Sequence, residues 1–385
     1  MQDVFFHRAW KKILIVVILL VLVAAAIWAT PRILRRFEFQ GMKPVTVARG
    51  LEFPWSLAFL PDGRMLVTER PGRMRIVTMD GTLGAPFTGL PPVLAEGEGG
   101  LLDVVLDPKF NDNATIYWSY SEPAPPGQKG GSTAVARGRL EGTQLLDVRV
   151  IFRQGEKVND GRHYGSRLLF TPEGKLLVTL GDRSHRDDAQ KLSSAHGKIM
   201  RIETDGRAVA DNPFVNTPDA LPEIWTLGHR NVQGIAFHPD TGELWASEHG
   251  PQAGDEINII ERGKNYGWPV ITYGCEYTTC AKIGEGTAKA GMEQPITWWS
   301  DRSIAPSGLM FLTSDRYPGW KGQMFIGTLV DQALTRIKID GHKVVEQQRL
   351  ATGLFERIRD VRQGPDGWIY VLNSSPKGRI IRIER

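Results

Sequence analysis

Four short segments of this chain concentrate side chains that can bind anions or move protons. They are Glu98-Gly99-Gly100, His163 to Arg167, Arg230-Asn231 and Arg357-Ile358-Arg359-Asp360. Histidine ordinarily titrates near neutrality, so His163 is a candidate general base. Arginine presents a fixed fork of donors that matches a carboxylate. A histidine among arginines therefore describes an anionic ligand held beside a base. The structural alternative is that the arginines pair with Asp360 and Glu98 and merely hold the fold together. The segments are spread along most of the chain, so only a fold that keeps returning to one place brings them together.

A recurring hairpin supplies that return. An apolar strand, Pro-Asp-Gly or a relative, and a second apolar strand appear in Leu57 to Thr68, Leu168 to Thr179, Ile235 to Ala246 and Val361 to Leu372. Looser copies run from Val104 to Tyr120 and from Gly308 to Gly327. Proline presets φ and glycine accepts the positive φ of a tight turn. Six hairpins at intervals of about 45 to 70 residues match four-stranded blades with variable insertions. The fold expected is all-β, a six-bladed β-propeller. A β-sandwich is the alternative, but it needs no such repeat. The strand before each hairpin should lie innermost. The residues just ahead of it, which also include Pro54-Trp55 and Ser303 to Ser307, should then share one channel mouth.

Composition agrees with a packed domain, at 41% hydrophobic and 23% charged residues. The 42 glycines and 24 prolines are dispersed, as a fold rich in turns requires. Net charge is only +4, and no Lys/Arg run is interleaved with aromatics, which argues against nucleic acid as a partner. The N-terminus differs in kind. Ile13 to Ala29 is an uncharged apolar run of 17 residues behind Arg8, Lys11 and Lys12, with Arg32, Arg35 and Arg36 after it. Its length lies between a signal-peptide core and a span of about 20 residues. Ala24-Ala25-Ala26 offers a cleavage site, but the run continues through Ile27 and Trp28. A retained transmembrane anchor, a cleaved signal helix and a buried core helix are the readings, in that order. Either of the first two exports the rest, giving a signal/anchor segment 1–36 and a propeller domain 37–385. The location expected is periplasmic or otherwise extracytoplasmic, with membrane attachment where the helix is uncleaved. Cys275 and Cys280 have no histidine near enough to complete a zinc set. In an exported chain a local disulfide is expected, with two unpaired thiols as the alternative.

Seven motifs then carry a family resemblance. They are Gly99 to Val104, His163 to Leu168, Gly228 to Gly234, Glu248 to Pro251, Gly254 to Asn258, Asn265 to Pro269 and Arg357 to Asp360. In this order they resemble the soluble aldose sugar dehydrogenases that depend on pyrroloquinoline quinone (PQQ), within the glucose/sorbosone dehydrogenase family. The likeness runs from about residue 45 to residue 385. It implies oxidation of an aldose to its lactone, with hydride transfer to PQQ and electrons passed to an external acceptor, in a monomer or homodimer. His163 is then the base, with Arg230 beside it in the catalytic set. Arg230, Asn231, Arg357, Arg359, Glu98 and Tyr277 contact the cofactor. The carbonyls of Gly250 and Pro251 hold a catalytic Ca²⁺, and Glu256 with the Tyr266 carbonyl holds a second, structural one. Calcium suits such hard oxygen donors. The plainer readings are a blade hydrogen bond for His163, a turn for Gly250-Pro251, and packing for Tyr266-Gly-Trp-Pro. His185 and His196 fall outside the motifs and read as surface residues.

Two positions depart from the family pattern. Glu98 stands where glutamine is usual, and Val330 where many members have a PQQ-binding lysine. Together they shift local charge by two units against an anionic cofactor. This leaves two rival readings: a Ca²⁺-dependent propeller hydrolase of lactonase type, using Glu98, Asn231 and Asp360, or a propeller that only binds.

Overall fold

The computed structural model describes residues 42–350 and 356–385. Pro-Asp-Gly and its relatives turn the chain as the sequence predicts. In the first hairpin Leu57 pairs with Val67 and Phe59 with Met65, and Gly63 takes φ +87° at the turn. Gly174, Gly242 and Gly367 repeat that positive φ in three other hairpins.

Strand β1 (Lys43–Leu51) precedes the first blade, which is β2 (Pro54–Phe59), β3 (Met65–Glu69) and β4 (Arg73–Val77). Blade 2 is β5 (Leu101–Leu106), β6 (Thr115–Pro123), β7 (Gly131–Glu141) and β8 (Gln144–Arg153). Blade 3 is β9 (Leu168–Phe170), β10 (Leu176–Leu180), β11 (Lys198–Ile202) and β12 (Ile224–Leu227). Blade 4 is β13 (Val232–Phe237), β14 (Leu244–Glu248), β15 (Asp255–Ile260) and β16 (Thr297–Trp299). Blade 5 is β17 (Pro306–Phe311), β18 (Met324–Thr328), β19 (Leu334–Asp340) and β20 (Lys343–Leu350). Blade 6 is β21 (Ile358–Gln363), β22 (Ile369–Asn373) and β23 (Gly378–Glu384), completed by β1 on β23. The N-terminal strand thus closes the ring. The innermost strands touch in sequence, β2 to β5, β9, β13, β17, β21 and back to β2. This is the expected six-bladed propeller.

Blade 1 has three strands rather than the expected four. Its fourth place is taken by an irregular segment whose backbone bonds to β4 include Gly84 N–H to Ile76 O and Phe87 N–H to Met74 O, with Arg75 also donating to Gly84 O. Pro86 lies between those bonds and has no N–H to give a ladder. Among the described residues no helix is long and apolar enough to cross a membrane. The apolar run Ile13–Ala29 and the boundary at 36/37 lie outside the described residues.

The core is a set of layers between blades, because successive side chains of a strand face opposite ways. Trp118 packs toward blade 1 with Leu66 and Met74, while its neighbour Tyr117 packs toward blade 3 with Leu168 and Val178. Met324 and Phe325 divide in the same way between blades 4 and 6.

Near the start of each inner chain segment one polar residue turns to the axis: Ser56, Asp103, Arg167, Gln233, Ser307 and Asp360, all buried. Register shifts at the starts of β2, β5, β13, β17 and β21 accompany this. Arg167 lies 2.9 Å from Asp360 and 3.4 Å from Asp103, and donates to the carbonyls of Gln233 and Arg359. Arg362 bridges the same two carboxylates. Asp360 is therefore a structural residue, as the plainer reading of the charged segments holds, but its partners are Arg167 and Arg362.

Candidate active site

Turning the sheet edge-on explains what gathers at the mouth. The second strand of each blade runs antiparallel to the first, so its end lies where the first strand begins. One mouth therefore collects residues at or just ahead of the starts of the inner strands and residues after the second strands. A cavity of about 170 Å³ there is lined by Trp55, Glu98, Arg357 and Arg359 from the first group, and by Arg70 and His249 from the second.

His163 sits at this mouth with φ +55°, its side chain 12% exposed. Its N–H donates to Glu98 Oε2 at 2.8 Å, and its Nδ1 lies 2.7 Å from Asp182 Oδ1. Asp182 is buried and also accepts from Ser184 N–H at 2.9 Å and from Trp268 Nε1 at 2.8 Å. Burial alone would raise its pKa; the bond and charge of His163 and the charge of Arg230 outweigh that and hold it below the usual range. An ionised carboxylate only accepts, so Nδ1 carries the proton and Nε2 presents its lone pair. Asp182 was absent from the sequence reading. Its signal is its place just after the second strand of blade 3, in Leu180-Gly181-Asp182, which antiparallel pairing returns to the same mouth.

The guanidiniums at the mouth lack the partners that the axis arginine has. Among the described residues none of Arg70, Arg230, Arg357 or Arg359 forms a salt bridge. Arg230 donates to His249 O at 3.2 Å and Tyr277 Oη at 3.4 Å, and lies over the Trp268 ring. Arg359 donates to Gln233 Oε1 at 2.9 Å and to Ser307 Oγ at 3.3 Å. Desolvation, with Arg167 and Arg357 nearby, pushes Arg359 down to about 9. Arg70 and Arg357 shift down too, chiefly by desolvation, and Glu98 offsets part of this in each. One carboxylate thus faces several cations, and the mouth holds unspent positive charge. Val330, by contrast, is 54% exposed. Arg70 follows β3 as Val330 follows β18, and it brings a cation to the mouth from another blade.

Several buried polar atoms here have no partner among the described residues: His249 Nε2, Arg359 Nε and Asn231 Nδ2. Burial, and then the charges of Arg359 and Arg230, push His249 well below its usual value, so it stays neutral. Asn231 spends its oxygen on Gly165 N–H at 3.0 Å and on Gln233 Nε2 at 3.1 Å. With Asp360 tied to arginines and Asn231 so engaged, the ligand set expected for the hydrolase does not converge. Unpaired donors and neutral imidazole fit an occupant that is polar and anionic.

Gly250, Pro251, Glu256 and Tyr266, read from sequence as two ion sites, line a single small cavity of about 20 Å³ with Glu248. Such a volume is about that of one water-sized occupant. A Cβ on Gly250 would stand 2.3 Å from the Gly254 backbone, so the tight loop admits only glycine. Asp255 anchors that loop, accepting from Gly250, Ile304 and Ala305 N–H, and burial outweighs those donors to raise it to about 6. Glu248 and Glu256 face each other across β14 and β15. Like charges so placed repel. Burial and the Glu248 charge accordingly push Glu256 up. The buried Asn258 Oδ1 beside them has no partner. The donor set is oxygen-rich, with the carboxylates of Glu248 and Glu256 against the single guanidinium of Arg230 in the lining, which fits a hard divalent cation. His229 braces it from behind, between Glu248 at 2.8 Å and Thr226 at 2.9 Å.

Tyr277 is 58% exposed, on the loop closed by the Cys275–Cys280 disulfide, which forms as expected. His196 departs from expectation: it is buried, not at the surface, whereas His185 is exposed.

A histidine–aspartate pair beside arginines without carboxylate partners marks a candidate site for an anionic ligand at one channel mouth. Comparison with known proteins gives the class. The family model described as Glucose / Sorbosone dehydrogenase matches residues 51–382, and the chain belongs to that family of oxidoreductases. It is 43% identical over 369 residues to Aldose sugar dehydrogenase YliI of Escherichia coli K12, covering 94% of this chain and 96% of that one. The solved apo-form of the soluble aldose sugar dehydrogenase from Escherichia coli superposes with a TM-score of 0.86 at 43% identity, over 89% of this chain and 99% of that one. The PQQ-bound aldose sugar dehydrogenase from Streptomyces coelicolor gives 0.70 at 28% identity, over 89% and 98%.

Proposed function

We propose that this chain is an exported, PQQ-dependent aldose sugar dehydrogenase that oxidises the anomeric carbon of an aldose to a lactone. The observation that carries the reading is the His163–Asp182 pair set beside four unpaired guanidiniums. Arg70, Arg230, Arg357 and Arg359 would hold the carboxylates of the cofactor, with Asn231 and His249 as polar contacts and Tyr277 over the opening. PQQ, when bound, supplies the carbonyl that takes the sugar's hydride. His163 Nε2 takes the proton of the anomeric hydroxyl, and Asp182 stabilises the imidazolium that results. Trp268 and Ser184 keep Asp182 ionised and aimed. Calcium, when bound at Glu256 and the carbonyls of Gly250, Pro251 and Tyr266, supplies positive charge beside the site.

The names of the relatives support the substrate class, and the PQQ-bound relative supports the cofactor. Ile13–Ala29 and the Cys275–Cys280 disulfide support export, hence an external electron acceptor. The test is to add PQQ and Ca²⁺ to the purified protein. A saturable quinone absorption band that aldoses bleach is expected. No saturable band at any PQQ concentration would overturn the assignment and leave the propeller intact.

A further inference from the structure

Outside both cavities, a 3₁₀ turn (Arg186–Gln190) and the loop ahead of β11 bring His185, Asp188 and His196 together. One ligand atom from each lies within 4.8 Å of the other two. Asp188 Oδ2 is 3.3 Å from His196 Nδ1 and 4.0 Å from His185 Nδ1. The two imidazoles stack at 5.2 Å. A tetrahedral ion with ligands at about 2.0–2.1 Å spaces them about 3.3–3.4 Å apart. The Asp188–His196 edge already has that length. His185 is exposed, and its Nδ1 stands 4.0 Å from Asp188 Oδ2, under 1 Å longer than that edge.

The cluster is built rather than incidental. Buried Lys198 donates to the carbonyls of Asp188, Ala189 and His196 at 2.7–2.9 Å, clamping the turn to the loop from beneath. Lys191 takes the other oxygen of Asp188 at 2.7 Å and leaves Oδ2 facing the imidazoles. His196 is 6% exposed, its Nδ1 turned to Asp188 Oδ2 and its Nε2 without a partner among the described residues. Two imidazole nitrogens and one carboxylate are a donor set for zinc-class ions, not for calcium with its 6–8 oxygens.

We propose that His185, Asp188 and His196 bind a transition-metal dication of the zinc class, with the fourth position open to water. The site continues the segment that holds Asp182, since His185 N–H donates to Asp182 O at 2.8 Å. Metal therefore stiffens the backbone behind the His163 partner. The reading stands apart from the quinone assignment. The test uses the full-length, untagged chain with its oxygen sites filled by excess Ca²⁺, titrated with Co²⁺ and then Zn²⁺. One equivalent of Co²⁺ should give visible ligand-field bands that Zn²⁺ abolishes, with a rise in Tm. His185→Ala, at an exposed position that the fold does not need, should weaken binding at least about tenfold, and Asp188→Asn likewise. His342→Ala removes a separate surface histidine, 2.7 Å from Glu243, and should change nothing. Absence of saturable Co²⁺ binding, or an equal loss in His342→Ala, overturns the proposal.

Discussion

Replacing Asp182 by Asn keeps the shape of the side chain and removes its charge and half its acceptor capacity. The carboxylate takes three donors: His163 Nδ1 and Ser184 N–H on Oδ1, and Trp268 Nε1 on Oδ2. Asn has one oxygen and one NH₂. With its oxygen toward His163 and Ser184, the NH₂ meets the Trp268 N–H, donor against donor. Reversed, the NH₂ meets His163, drives the ring proton to Nε2 and removes the base. Both arrangements lose the charge that stabilises the imidazolium. Base catalysis is worth about 10²- to 10⁴-fold, so kcat for aldose oxidation should fall in that range. The Kd for PQQ should move less than about tenfold, since Asp182 lines neither cavity. The lost charge-assisted bonding should cost about 1.5–3 kcal/mol of stability near neutral pH. The folded pKa of Asp182 is lowered, so its stabilisation is present above the ordinary aspartate pKa and is lost as pH falls through the folded value. The Tm gap between wild type and variant should therefore close in acid. Turnover of the reconstituted enzyme, PQQ titration and melts across pH measure the three effects. Near wild-type turnover would refute the base assignment. An equal fall in PQQ affinity and kcat would make Asp182 a cofactor-cradle residue instead.

Three further outcomes follow from the same geometry. Arg70→Ala should weaken PQQ about ten- to a hundredfold by equilibrium titration, whereas Glu98→Gln should tighten it, keeping an oxygen for His163 N–H while removing the opposing charge; adding Val330→Lys should contribute little, because that position is exposed and screened. Chelation of Ca²⁺ should lower Tm, and by more as pH rises above the ordinary glutamate range: the raised pKa of Glu256 means the metal-free fold binds an extra proton whose loss destabilises it. Melts with and without Ca²⁺ that coincide at every pH would exclude the ion. Arg167→Met should cost about 3 kcal/mol in denaturant unfolding, because it leaves the buried carboxylates of Asp103 and Asp360 to share the one guanidinium of Arg362.

The hairpin repeat made the propeller legible, and its phase made half of the mouth legible. Glu98, His163, Arg230 and Arg357 precede inner strands, and Arg359 is the second residue of one. Arg70, Asp182 and His249 were missed for one reason. They follow second strands, and antiparallel pairing brings them back to the same mouth. Reading Thr68-Glu69-Arg70, Leu180-Gly181-Asp182 and Glu248-His249 as the far ends of hairpins would have found them. The burial of His196 was not legible, because it depends on Lys198 clamping two loops that no periodicity links. Pro86 removes one ladder donor from the outer place of blade 1, but Pro44 within outer strand β1 shows that a proline alone does not decide the strand count.

The same reasoning separates the two sets of arginines. In a dry interior an unpaired guanidinium is costly, so a structural one is surrounded by acceptors. Arg167 meets this condition, with Asp103, Asp360 and two carbonyls about it. Arg359, whose carbonyl accepts from Arg167 across the axis, is almost as buried, yet it has an amide, a hydroxyl and an orphan Nε. Stability alone does not explain retaining that arrangement beside two further guanidiniums. An anion arriving from solvent would repay the cost in one step, by pairing charges that the fold leaves open. On this argument the mouth is preorganised for a polyanion and the axis is preorganised for itself. Exchanging the two environments, by giving Arg359 a carboxylate partner through Ser307→Asp, should stabilise the empty protein and weaken PQQ together. A Ser307→Asp variant that gained stability and still bound PQQ as tightly as wild type would show that Arg359 belongs to the axis after all.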